Sequence, residues 1–140
     1  MSNSTVSTDR APSPAGHYSQ AKLAGQHLYI SGQLPNRPGG QPLADDSFET
    51  QAGQAIDNML AVLEAAGGTP ADLVRVTAYI VGVSNWPRFN QVYAARLGDA
   101  RPARTVVPVS ELHYGYHIEV DAIAVLAPSA PAGPAANGPE

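Results

Sequence analysis

The segment DLVRVTAYIVGV, residues 72–83, constrains the fold more than any other part of the chain. Its β-branched content reads as a strand, and it is apolar on both alternations. Val74, Val76, Ala78 and Ile80 fall on one side; Leu73, Tyr79 and Val81 fall on the other. Such a strand must be covered on both faces. The remaining chain offers two helices, which can cover only one face of a sheet. The expectation is therefore that a copy of the same chain covers the second face, with its polar residues at subunit boundaries.

The first of those helices is the most strongly patterned element. In DDSFETQAGQAIDNMLAVLEAAGG, Asp46 or Ser47 can cap the start, and Asp46 with Glu49 fits a capping box. Ala52, Ala55, Ile56, Met59, Leu60, Leu63 and Ala66 then recur at helical spacing until Gly67. The second, SNWPRFNQVYAARLG, opens with Ser84 and Asn85 and sets Phe89, Val92, Tyr93 and Leu97 on one face. Trp86 with Pro87 reads as packing at its start. Strands are predicted near residues 18–24, turned at Ala24-Gly25, and at HLYISGQLP (27–35), where Leu28 and Ile30 alternate with His27, Tyr29 and Ser31 before Gly32 and Pro35 end the run. Two more cover Thr105–Val109 and Tyr116 to about Leu126. The result is one α+β domain over residues 15–126. Residues 1–14 are rich in Ser, Thr and Pro, and 127–140 in Ala, Pro and Gly; both segments are expected to stay disordered, because they bury too little apolar area to offset the entropy of ordering.

Eight Lys+Arg against twelve Asp+Glu leave no basic field for a phosphate backbone, so nucleic acid is not an expected partner. The absence of cysteine removes disulfides, thiolate metal sites and a cysteine nucleophile. No run approaches the roughly 18 apolar residues of a membrane span, and the N-terminus lacks a secretory core, so a cytoplasmic protein with no membrane partner is expected. His113 and His117 are four apart, but in a Gly-containing loop that spacing does not align two imidazoles, and no metal site is read there.

The chemistry concentrates in the last strand and the segment RPARTVVPV (101–109). In HIEVDAIAV, Glu119 and Asp121 share one face, roughly 7 Å apart, while Ile118, Val120, Ala122 and Ala124 point to the other. A desolvated carboxylate has a raised pKa and can exchange protons near neutrality. Either residue could instead sit at an exposed strand end or pair with an arginine. Arg104 offers a planar, permanently charged fork stiffened by Pro102, suited to a substrate carboxylate or to Glu119 itself.

HYSQA (17–21), SGQLP (31–35), NMLAVLEAAGG, FNQVYAARLG, RPARTVV and IEVDAIAV occur in that order, and together they resemble the Rid family, the reactive intermediate deaminases of YjgF type, over about residues 15–126. The resemblance implies a chorismate-mutase-like α+β domain, a mixed sheet with two helices on one face, assembled as a homotrimer with clefts between subunits. It also implies hydrolysis of reactive 2-enamine and 2-imino acids, such as 2-aminoacrylate, to 2-keto acids and ammonia without cofactor or metal. In that reading Arg104 binds the substrate carboxylate, Glu119 holds or activates the attacking water and Tyr18 lines the cleft; Ser31, Gly32 and Asn90 match substrate-binding positions. His17 stands where the family usually has proline, Val106 where many members carry cysteine, and Asp121 replaces the commoner glutamate. The LHYGYH loop (112–117) is bulkier than usual. The competing expectations are a trimer that binds keto acids without turnover and a ribonuclease, the latter disfavoured by the scarcity of basic residues.

Overall fold

The computed structural model describes residues 3–40 and 43–128. Six strands form one mixed sheet in the order β1-β2-β3-β6-β4-β5, from β1 (Asn3–Val6), β2 (Ala21–Ala24), β3 (His27–Gln33), β4 (Leu73–Val81), β5 (Ala103–Val109) and β6 (Ile118–Val125). Only β4 and β5 run parallel, joined by the crossover helix α2 (Trp86–Leu97); every other neighbouring pair is antiparallel. Helix α1 (Phe48–Ala65) packs on β3 and β6.

One face of the sheet meets the helices in a single core. Leu28 and Ile30 of β3, Val76, Ala78 and Ile80 of β4, Val106 of β5 and the alternate residues Ile118, Val120, Ala122 and Ala124 of β6 are buried there. Ile56, Met59, Val62 and Leu63 of α1, with Phe89, Tyr93 and Leu97 of α2, fill the other side. Full burial of each large side chain contributes about 1.5–3 kcal/mol, so Ile56→Ala at the centre would cost roughly 2–5 kcal/mol. The opposite face carries Tyr29, Arg75, Thr77, Tyr79, Thr105, Val107, Glu119 and Asp121 and remains partly open in the single chain; Tyr29 is 47% exposed.

Several expectations are corrected. Residues 3–6, within the segment 1–14 expected to be disordered, form the edge strand β1. Behind it, the buried amide of Gln20 receives the Thr8 N–H at 2.7 Å and donates to the carbonyls of Thr8, Ala11 and Pro12, so hydrogen bonds hold a stretch that has little apolar surface. Val74 is 43% exposed while Leu73 is buried, because the β4–β6 register shifts between Leu73 and Arg75 and breaks the two-residue period. Ser47 alone caps α1, its hydroxyl accepting the Thr50 N–H at 3.1 Å, in place of the Asp46–Glu49 box. β3 continues through Gly32 with a register shift between Ile30 and Gln33, and β5 begins at Ala103, so Arg104 lies within the strand. The reading of 127–140 falls, from residue 129 onward, outside the described residues. No helix among the described residues is long and apolar enough to cross a membrane.

Candidate functional site

Strict alternation along β6 sends Glu119 and Asp121 to the face away from the helices. Glu119 sits across from Tyr79, and its carboxylate leans over the backbone of Gly32 on β3, in the space a Cβ would occupy. This is why residue 32 carries no side chain: the sheet approaches the carboxylate more closely than any side chain permits. Partial burial pushes the Glu119 carboxyl above its ordinary range; the charge of Asp121 adds to the effect, and His113 opposes it. Asp121 is raised by burial too, and the Tyr79 hydroxyl and Arg75 pull it back. Among the described residues the ion pairs are Arg10–Glu64, Arg88–Glu49 and Arg96–Asp57, so neither of these carboxylates is spent on an arginine.

Glu119 opens into a cavity of about 540 Å³ that also receives Tyr18, Ser31 and Gly32. Its other walls come from the stretch between β1 and β2, including Pro12, Gly16 and Gln20, from Gln33 at the end of β3 with Leu34 and Asn36 beyond it, and from His113 with Tyr114. Ser31 donates its hydroxyl proton to the Ser19 carbonyl at 2.6 Å, which leaves the oxygen free only to accept. Tyr18 stands at the rim, 51% exposed.

Arg104 and Asn90 do not join this group within one chain. Arg104 pairs with Val76, and Val106 two residues on is buried, so Arg104 projects on the helix side of the sheet, opposite to Glu119. Two strand spacings sideways and three residues along put the two backbones roughly 14 Å apart. The guanidinium rests at the exposed sheet edge, 5.4 Å from the centre of the Phe89 ring and 5.1 Å from that of Tyr93. Both rings come from α2, and their faces hold the cation without neutralising it. Tyr93 is buried with no hydrogen-bond partner for its hydroxyl, and burial raises its pKa while Arg104 acts in the other direction. Asn90, exposed, follows Phe89 on the same helix. The six predicted residues thus fall into two groups: Tyr18, Ser31, Gly32 and Glu119 in the cavity, Arg104 and Asn90 at the α2–β5 edge.

The supports of the cavity went unread in the sequence. Gln51 and Asn58, two turns apart on α1, are fully buried polar side chains among apolar neighbours. Asn58 donates to the carbonyls of Leu34 at 3.0 Å and Asn36 at 2.8 Å. Gln51 donates to those of Ala44 and Asp46 and accepts the His117 N–H at 2.8 Å. The Tyr116 hydroxyl completes the frame by donating to the Asn36 side chain. The readable signal was an amide recurring seven residues apart on a face otherwise made of Ala, Ile and Met. The two loop histidines are engaged separately: His113 stacks on Tyr114, and His117 adjoins Gln51. Among the described residues no cluster of three His, Asp or Glu side chains is placed to hold a metal ion.

Comparison with known proteins bears on what these two groups could do. Residues 8–126 match the family model described as Endoribonuclease L-PSP. The chain is 40% identical to a RutC family protein of Pyrococcus horikoshii over 119 residues, covering 85% of this chain and 94% of that protein. It is 34% identical to the 2-iminobutanoate/2-iminopropanoate deaminase of Rattus norvegicus over 128 residues, 91% of this chain and 93% of the relative. The crystal structure of RidA from an Antarctic Psychrobacter superposes with a TM-score of 0.82 at 36% identity, covering 88% of this chain and 99% of that one.

Proposed function

Because this chain belongs to the endoribonuclease L-PSP family, among whose members are Rid proteins and 2-imino acid deaminases, we propose that it hydrolyses 2-enamine and 2-imino acids to 2-keto acids and ammonia, in clefts built between copies of itself. The observation that carries this reading is the Glu119 carboxylate: desolvated, unpaired with any arginine among the described residues, and facing a cavity beside an acceptor oxygen.

The reaction makes few demands. In the imino acid C2 is already electrophilic, so the site must anchor the carboxylate, present water to C2 and move protons. Glu119 takes a proton as the water oxygen bonds to C2, giving a carbinolamine. With the imine protonated at the outset, Glu119 returns that proton to nitrogen as the C–N bond breaks, then takes the second water proton as the C2 carbonyl closes and passes it to the departing ammonia; the products are a 2-keto acid and ammonium. A carboxyl with a raised pKa suits both directions of this transfer. Ser31, able only to accept, matches the N–H of a protonated imine. Arg104 supplies the anion receptor, each hydrogen bond from it contributing about 1.5–3 kcal/mol.

Arg104 and Glu119 cannot serve one small acid within one protomer, because the sheet lies between them. A second copy that covers the open sheet face and brings its α2–β5 edge to the cavity satisfies both requirements at once. This is the homotrimer arrangement the resemblance implies, and it gives Arg104 a role that its exposed place in one chain lacks. RNA fits poorly: the cavity is lined by a carboxylate, and acidic residues outnumber basic ones.

The test couples 2-imino acid, freshly generated by an amino-acid oxidase, to ammonia detection. Catalysed ammonia release that is lost in Arg104→Ala supports the proposal. Release at the buffer rate, with keto acids still raising the melting temperature, would favour a binding protein without turnover; RNA cleavage that survives Arg104→Ala and stringent repurification would favour a nuclease.

A further inference from the structure

Tyr114 is the only non-glycine residue with positive φ among the described residues, at φ 62° and ψ 12°. Glycine adopts this left-handed conformation freely, whereas a side chain adopts it at a cost in stability. The next residue, Gly115, has φ 77°, so the turn has a glycine at hand and still carries a tyrosine. Strain of this kind persists where the surroundings impose it, and here they do. Tyr116 is buried and bonded to Asn36, and the His117 N–H is held by Gln51. The turn is therefore tied down on its C-terminal side.

The ring so displayed packs on its neighbours along one side and is open on the other. It stacks on His113 with centroids 3.6 Å apart and 22° between planes, meets Tyr116 edge-on at 6.1 Å, and is 53% exposed. It lines the same cavity as Glu119. Tyr18, on that cavity as well, is exposed to the same degree, so two tyrosine rings mark the opening. A three-carbon imino acid of six heavy atoms fills the space of three or four waters, on the order of 100 Å³, against a cavity of about 540 Å³. With C2 placed at Glu119 and the Arg104 edge of a second copy taking part of the space, the substituent on C2 has what remains of the volume, beside an aromatic rim.

We propose that the cleft selects 2-imino acids bearing an aromatic or large apolar side chain, and that Tyr114 is a specificity-determining residue that packs against that side chain. The inference rests on the deaminase reading of the Glu119 site and adds its substrate class. Offset or edge-on packing of a substrate ring on Tyr114 favours that substrate by the amount one aromatic pair supplies, about 2- to 10-fold.

The experiment compares kcat/KM for imino acids generated from phenylalanine and from alanine, in the wild-type chain, Tyr114→Gly and Tyr114→Phe. Tyr114→Gly removes the ring and relieves the backbone, so folding is not at risk; Tyr114→Phe keeps the ring. The wild-type chain should prefer the phenylalanine-derived substrate, the preference should fall about 2- to 10-fold in Tyr114→Gly, and Tyr114→Phe should retain it. A wild-type preference for the alanine-derived substrate, or an unchanged ratio in Tyr114→Gly, overturns the assignment. If no imino acid is turned over, the deaminase reading fails separately, and calorimetric binding of phenylpyruvate against pyruvate in the same three proteins decides the role of Tyr114. Loss of the phenylpyruvate preference in Tyr114→Gly supports it; equal affinities in the wild-type chain refute it.

Discussion

Replacing Gly32 with alanine should separate catalysis from folding. A Cβ built on Gly32 stands 3.1 Å from the Glu119 carboxyl carbon and 3.5 Å from its Cγ, whereas carbon atoms in relaxed contact lie at about 3.5–4.0 Å. The carboxylate must therefore retreat by about 0.5–1 Å. It is the far end of a flexible side chain bordering a cavity, so the retreat strains little else. Gly32 has no positive φ, and alanine also lowers the entropy of the unfolded chain by the equivalent of about 0.4–1 kcal/mol, so net stability should change by less than about 1 kcal/mol. Activity is another matter, because a misplacement of about 1 Å in a reacting group can lower the rate about 100-fold. Gly32→Ala should show a melting temperature within a few degrees of wild type and kcat reduced by about 10- to 100-fold. Full activity would mean that the position of Glu119 over Gly32 is irrelevant to turnover; collapse of the fold would mean that Gly32 serves packing instead.

Other consequences follow from the same geometry. Glu119→Gln should lower kcat by roughly 100-fold or more with little change in KM, since a proton carrier acts in the transition state; a pure KM effect contradicts that role. The same variant should melt higher than wild type at neutral pH. The raised native pKa means that the charged form is disfavoured on folding, so the wild-type penalty is present above that raised value and fades as pH falls to the ordinary 4.5. Thermal melts across that window check it, and a gain in Gln that grows toward low pH would be the wrong sign. Asn58→Leu strips two half-buried carbonyls of their donor and should cost about 0.5–1.5 kcal/mol per hydrogen bond in denaturant unfolding. Asp57→Asn, one position away on α1, breaks an exposed ion pair with Arg96 of α2 and should cost under about 1 kcal/mol, less in high salt.

Elements whose burial follows a clean period were legible in the sequence. On α1, Ala52, Ala55, Ile56, Met59 and Leu63 were read correctly, while Leu60 and Ala66 are only half-buried and the fully buried Val62 was not read; the β6 alternation from Ile118 to Ala124 was read correctly, because each residue's burial there is set by its own phase. The errors fall where a neighbour decides. β1 is an exposed edge strand whose ordering comes from pairing with β2 and from Gln20, so its own residues carry no apolar signature. At Leu73 and Val74 a shift in pairing against β6 inverted the inward side. Gly32 was read as a strand end, yet the reason for a glycine there is Glu119, 87 residues along the chain. For the candidate site, Glu119, Tyr18, Ser31 and Gly32 were named from motifs and share one cavity. Their separation from Arg104 and Asn90 was not legible, since it depends on β5 adding in parallel beyond β4, a choice of sheet order that local pattern does not encode. The bulk of the 112–117 loop was legible in the sequence; the left-handed backbone of Tyr114 within it was not.

The central claim is that Arg104 of one copy and Glu119 of another act on the same substrate molecule. Mixing Arg104→Ala with Glu119→Gln, each inactive alone, under conditions of subunit exchange tests it most directly. At equal proportions and random assembly, about a quarter of the clefts would combine an intact Arg104 with an intact Glu119, and ammonia release should recover to about that fraction of wild type. If the mixture remains as inactive as its components while exchange is demonstrated by mass, the two residues do not meet across a subunit boundary.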